Sequence, residues 1–78
     1  LIDQKLRWLA RRGMLELDTW LNRFLDHGYD ELPVAQQRLF VYLLRQDDMT
    51  LYDWFTRSVE PPPELRDLVD KICGISPN

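Results

Sequence analysis

Seventy-eight residues predict one domain, near the lower size limit for a core that folds without disulfides or metal. Hydrophobic residues make up 45% of the chain, with three Trp, three Tyr and three Phe, which excludes a disordered segment. The net charge of −3 argues against nucleic acid as a main partner, because phosphate affinity comes largely from lysine and arginine.

The charge is unevenly placed. Lys5, Arg7, Arg11 and Arg12 against Asp3 make residues 1–12 basic, and acids outnumber bases in the remainder. So small a basic end suits the acidic rim of a protein partner or a few phosphates. The single cysteine, Cys73, cannot form an internal disulfide, and a reducing compartment is expected. No apolar run reaches the roughly 18–20 residues of a membrane span, so membrane insertion is not expected, and no signal or transit pattern is visible.

The periodicity predicts a first helix over residues 2–12. Ile2, Leu6, Leu9 and Ala10 fall within one arc at about 100° per residue. Trp8 lies off that stripe, and Lys5 and Arg12, three and four residues away, share its side. Arg11 borders the same patch. A tryptophan framed by cations has the make-up of an interface anchor; the alternative is that Trp8 covers the end of the core with its ring edge exposed. Gly13 then interrupts the pattern and reads as a left-handed helix C-cap. Arg11 and Arg12 would occupy the last turn of one helix, and Glu16 and Asp18 the first turn of the next, each complementing a helix dipole. Residues 11–18 can thus be read as a well-capped junction. They are also the stretch that the core pattern explains least.

The second helix is predicted over 15–28, with Leu17, Leu21, Phe24 and Leu25 in one stripe and Trp20 on its edge. Glu16 lies on the polar side, where it can reach Arg12 across the bend or face a partner. His27 has no nearby Ser or Cys nucleophile and no second ligand at helical spacing, and reads as a helix-end or surface residue. Gly28 closes the helix, and 29–33 form a connection. Pro33 suits the start of a third helix over 34–46. Its Leu39, Phe40, Leu43 and Leu44, widened by Val41 and Tyr42, predict the most buried helix. Residues 47–49 read as a turn. Thr50 and Asp53 match a capping box opening a short fourth helix over 51–58, with Leu51, Trp54 and Phe55 on one face. Pro61-Pro62-Pro63 reads as extended. The fifth helix, 64–73, places Leu65, Leu68, Val69, Ile72 and Cys73 on one stripe, with Cys73 as a small apolar filler. Residues 74–78 read as a tail, of which Gly74 can cap the helix.

The architecture predicted is all-α, a small five-helix bundle. The sequence has no glycine-rich phosphate loop after a strand and no histidine or cysteine cluster at metal-ligand spacing, so no metal is expected. A carboxylate pair is weak evidence of acid–base chemistry among thirteen acids, and so small a chain offers no deep substrate pocket. These residues predict a helical binding module rather than an enzyme, with its contact surface at 5–18.

Arg12-Gly13-Met14-Leu15-Glu16, continued by Leu17-Asp18, resembles the Arg-Gly-x-x-Glu signature of the succinate dehydrogenase assembly factors, the FAD flavinylation-factor family. Phe24 followed by Tyr29 and Leu32, the Arg38-Leu39-Phe40 and Leu43-Leu44 run, and Asp47-Asp48-x-x-Leu51-x-x-Trp54 come in the family's order and at about its spacing. The resemblance covers roughly residues 5–70. It implies a five-helix fold and an assembly role without catalysis. The partner would be the flavoprotein subunit of succinate dehydrogenase, and in bacteria that of fumarate reductase, to which FAD becomes covalently attached. FAD would be the partner's cofactor; no tightly bound cofactor is implied for this chain, and a weak or joint contact with FAD is left open. The signature places partner binding on Arg12, Gly13 and Glu16, with Asp18 continuing it. Lys5, Trp8 and Arg11 join them from the helix pattern. The resemblance also implies a bacterial cytoplasm or a mitochondrial matrix. The competing reading is an antitoxin-type or cytoskeletal regulatory module. The chain departs from the family at Val34-Ala35-Gln36-Gln37, where acids are frequent, and at Thr50, where Asp is frequent.

Overall fold

The computed structural model describes residues 4–74. These form five α-helices: α1 (Gln4–Leu9), α2 (Leu15–His27), α3 (Val34–Leu44), α4 (Asp48–Thr56) and α5 (Pro63–Gly74), with a 3-10 turn at Tyr29–Glu31. No strand occurs among the described residues. The all-α expectation holds.

Core formation follows the apolar periodicity. Leu17, Leu21, Phe24 and Leu25 of α2 are buried, as are Leu65, Leu68, Val69 and Ile72 of α5. Leu51, Trp54 and Phe55 close the core from α4, and Phe40, Leu43 and Leu44 from α3. The aromatic rings interlock at two places. Phe40 meets Phe24 and Tyr29 at centroid distances of 5.3 and 5.4 Å. Trp20 meets Phe55 edge-to-face at 5.6 Å, a favoured aromatic geometry. Burial of such side chains, each worth roughly 1.5–3 kcal/mol, is the main force that holds short helices together, since helices of this length are marginal alone.

Several boundaries differ from the expected ones. The described part of α1 ends at Leu9 instead of residue 12; Ile2 lies outside the described residues. The Arg11 N–H donates to the Trp8 carbonyl at 3.1 Å, a tight last turn. The Arg12 N–H, which a continuing helix would direct to that same carbonyl, instead donates to Asp18 Oδ1 at 2.7 Å. Arg11 and Arg12 are therefore not in a helix. Gly13 is left-handed, with φ +79°, but it sits in the bend beyond α1 and does not cap it directly. Gly28 ends α2 without a left-handed conformation, at φ −129°, its N–H donating to the Phe24 carbonyl at 2.8 Å.

Helix α3 stops at Leu44, and it is not the most buried helix: Tyr42 is 53% exposed and Val41 only partly covered. Helix α4 begins one turn before the predicted start. Asp47 is its N-cap, accepting the Thr50 N–H at 2.8 Å, so Thr50 is the third residue of the helix and not its cap. A carboxylate three residues upstream competes with the threonine for the same role, and it also complements the helix dipole. The far end of α4 closes at Arg57, which is left-handed at φ 65° and pairs with Glu60 and Asp70. Pro63 is the first residue of α5, where a missing N–H is harmless, so only the first two prolines lie outside the helix.

Candidate partner-binding site

The bend between α1 and α2 is built around Arg12. Its side chain is 12% exposed and turns inward. Nε donates to Asp48 Oδ1 at 2.8 Å. Nη1 donates to the Leu9 carbonyl at 3.0 Å and to the Leu44 carbonyl at 2.7 Å, and Nη2 donates to the Gln46 carbonyl. Leu9 and Leu44 end α1 and α3, where carbonyls lack intrahelical donors. One guanidinium thus satisfies two helix ends and pairs with the first turn of a third helix. Such fork geometry is available to arginine and not to lysine. Asp18, one turn into α2, holds the Arg12 backbone, and its own carbonyl accepts from Asn22 Nδ2 at 2.8 Å. Arg7 of α1 crosses to α2, donating to Asn22 Oδ1 at 3.3 Å and pairing with Asp26.

Other residues of α1, the bend and the start of α2 are exposed. Trp8 is 69% exposed and does not cover the core. It shares a shallow depression of about 270 Å³ with Gln4, Arg7, Arg11 and Asn22. A second groove, about 300 Å³, runs between α1 and α3 and is lined by Lys5, Leu6, Leu9, Tyr29, Val41 and Arg45. Leu15, 78% exposed, and Glu16, also exposed, open α2. Gly13 is exposed, and a Cβ built on it meets no atom within 4 Å. Its special backbone conformation, not crowding, is what favours glycine there.

The seven residues picked from the sequence therefore divide. Lys5, Trp8, Arg11, Gly13 and Glu16 face outward. Arg12 and Asp18 are partly buried and serve the bend. The shared helical face of Lys5, Trp8 and Arg12 does not form, because the helix ends before Arg12 reaches that register. Of the two roles open to Glu16, reaching Arg12 or facing a partner, the first does not form: the guanidinium is engaged by Asp48 and by the Leu9, Leu44 and Gln46 carbonyls. Asp48 is the residue that pattern reasoning missed; its place beside Asp47 in the Asp47-Asp48-x-x-Leu51 series was the available signal.

Elsewhere the chemistry is sparse. His27 is an exposed helix-end residue. Burial pushes the Cys73 thiol up, only partly offset by the Arg57 charge, and Sγ donates to the Phe55 carbonyl at 3.6 Å, which fits a packing role. Among the described residues no group of three or more His, Cys, Asp or Glu is placed to hold a metal. No helix among them is long and apolar enough to cross a membrane.

The bend that Arg12 organises carries the Arg-Gly-x-x-Glu spacing, and the family described as "flavinator of succinate dehydrogenase" matches residues 4–76. The chain belongs to this family. Flavinator-family relatives align along most of their length. A "FAD assembly factor SdhE" of Coxiella burnetii is 40% identical over 77 residues, covering 97% of this chain and 94% of the relative. Proteins of the same name from Shewanella oneidensis and Francisella tularensis are each 41% identical, over 71 and 68 residues. These alignments cover 90% and 87% of this chain, and 87% and 72% of the respective relatives. No solved structure matches the chain. The family match spans the series from Arg12 to Trp54, and the antitoxin-type reading is not favoured by any of these relatives.

Proposed function

We propose that this chain is an assembly factor that binds the flavoprotein subunit of succinate dehydrogenase and promotes covalent attachment of its FAD. Membership of the flavinator family, over nearly the whole chain, carries the reading. The exposed rim of Trp8, Arg11, Gly13 and Glu16 beside Lys5 supplies a surface of suitable chemistry: a tryptophan anchor, cations and one carboxylate. The fumarate reductase flavoprotein, of the same chemistry, is a second partner.

The factor works without catalysis. Covalent attachment requires a partner nucleophile and the flavin to be held in register, with developing negative charge stabilised nearby. Those groups belong to the partner. A small factor contributes by binding more tightly to the conformer in which they are aligned, so that its differential affinity shifts the population. Trp8 would insert at the interface, Gly13 would let a partner backbone approach closely, and Glu16 would take a basic group of the partner.

The test is capture of the flavoprotein subunit by the wild-type chain and by Glu16→Ala, with covalent flavin read as fluorescence in a denaturing gel. Capture by the wild type, with loss of covalent flavin in the variant, supports the reading. No capture by the wild type rejects it, and full flavinylation with Glu16→Ala removes Glu16 from the surface.

A further inference from the structure

We propose that Arg12 is a positioning residue, with Asp48 as its distant partner. Together they lock the α1–α2 bend onto the α3–α4 turn, so that Trp8, Arg11 and Glu16 are presented to the flavoprotein as one surface. The inference rests on the reading of that surface as the flavoprotein contact.

The cation of the signature is committed to its own chain. Arginine has five N–H donors, and four of them are engaged, by Asp48, Leu9, Leu44 and Gln46. With 12% of the side chain exposed, little of it can reach a partner. Three of its acceptors are main-chain carbonyls around the ends of α1 and α3, and the fourth is in the first turn of α4. The Arg12 backbone N–H is held by Asp18 of α2. One residue therefore ties four helices at the point where the exposed rim is assembled. Trp8 stands one residue before the carbonyl that Arg12 holds, and Glu16 stands two residues before the carboxylate that holds Arg12. Their relative placement is set through this residue. Asp48 completes the fork from 36 residues away, although it lies outside the signature.

The proposal makes the two charges a unit. The test is a double-mutant cycle of Arg12→Gln and Asp48→Asn, read as affinity for the isolated flavoprotein subunit at a temperature where amide spectra show every variant folded. Each single substitution is expected to weaken binding on the order of tenfold, and the double to be no weaker than the worse single, because both break the same unit. Arg12→Gln is expected to keep the salt dependence of the wild type, since no partner charge is lost. A merely stabilising residue would leave the affinity of the folded variants unchanged, which overturns the proposal. So does wild-type affinity in Asp48→Asn combined with weaker binding and a flatter salt dependence in Arg12→Gln, because Arg12 would then meet the partner itself. The free protein gives an independent readout. Asp48→Asn is expected to move the amide resonances of Gly13 and Glu16, and unchanged resonances would reject the positioning role. That measurement stands even if the wild type fails to bind a flavoprotein, a result that would reject the function reading alone.

Discussion

The backbone N–H of Arg12 donates to the Asp18 carboxylate at 2.7 Å, so two residues of one motif bind each other across the bend between α1 and α2. This contact ends α1 and fixes the start of α2. Hydrogen bonds to a charged acceptor contribute roughly 1.5–3 kcal/mol. Asp18→Ala is expected to lower stability by about that amount in urea unfolding. Asp18→Asn, which keeps an acceptor oxygen, should cost about 1 kcal/mol less. Equal losses for the two variants would mean that the bond is not what Asp18 supplies.

Gly13 invites a separate test of conformation against contact. Its φ is +79° and a Cβ would meet nothing within 4 Å. An L-residue there pays about 1–2 kcal/mol for the left-handed backbone, and Asn, which tolerates that region, pays less. Thermal unfolding should therefore rank Gly13 above Asn above Ala, with all three folded. Because the space is open, a bulky side chain such as Gly13→Arg should remain folded and helical by circular dichroism while capture of the flavoprotein falls. Unfolding of that variant would contradict the open geometry.

Acid should loosen the start of α4. Hydrogen bonding from Thr50 holds the Asp47 carboxyl below the usual aspartate range, against the opposing effect of burial and with a still smaller lowering by the Arg12 charge. A depressed folded pKa means that the cap's contribution is complete above the pKa of an unfolded aspartate and is lost as pH falls through the lower folded value. Amide exchange at Thr50 is expected to rise across that acidic window. Asp47→Asn, which retains the capping oxygen, should abolish the step. A step of undiminished size in the variant would assign it to another carboxyl.

Trp8 and Phe40 are both large and aromatic, and they should behave oppositely. Trp8 is 69% exposed and Phe40 is fully buried. Trp8→Ala is expected to change stability by no more than about 0.5 kcal/mol and to weaken flavoprotein capture. Phe40→Ala removes the ring against which Phe24 and Tyr29 both pack and should cost about 3–5 kcal/mol. Chemical denaturation of both, with capture measured on the folded Trp8 variant, decides the pair. A Trp8→Ala protein that loses several kcal/mol would place the indole in the core.

Much of the helical layout is legible in the chain itself. Leu17, Leu21, Phe24 and Leu25 recur at helical spacing, and so do Leu65, Leu68, Val69 and Ile72, and all eight are buried. Periodicity works there because each helix faces the core along one side, so the local repeat and the tertiary environment agree. Where a helix is covered on a narrower front, the pattern overreaches: Tyr42 extends the apolar face in the sequence and is exposed in the fold. The start of α4 is ambiguous locally, since Asp47 is the same kind of cap as Thr50 and lies one turn earlier.

The amino-acid sequence alone determined the helical class, most of the core and the positions of the signature. Tertiary structure decided what the signature residues do. A cation next to a helix end is ordinarily a solvated dipole partner, and nothing within ten residues of Arg12 announces that it will turn inward. Its acceptors at Leu44, Gln46 and Asp48 lie 32 to 36 residues away and come together only when α3 and α4 pack beside the bend. Carbonyls left without donors at helix ends cannot be counted until those ends meet, and it is their need for a donor that draws the guanidinium in.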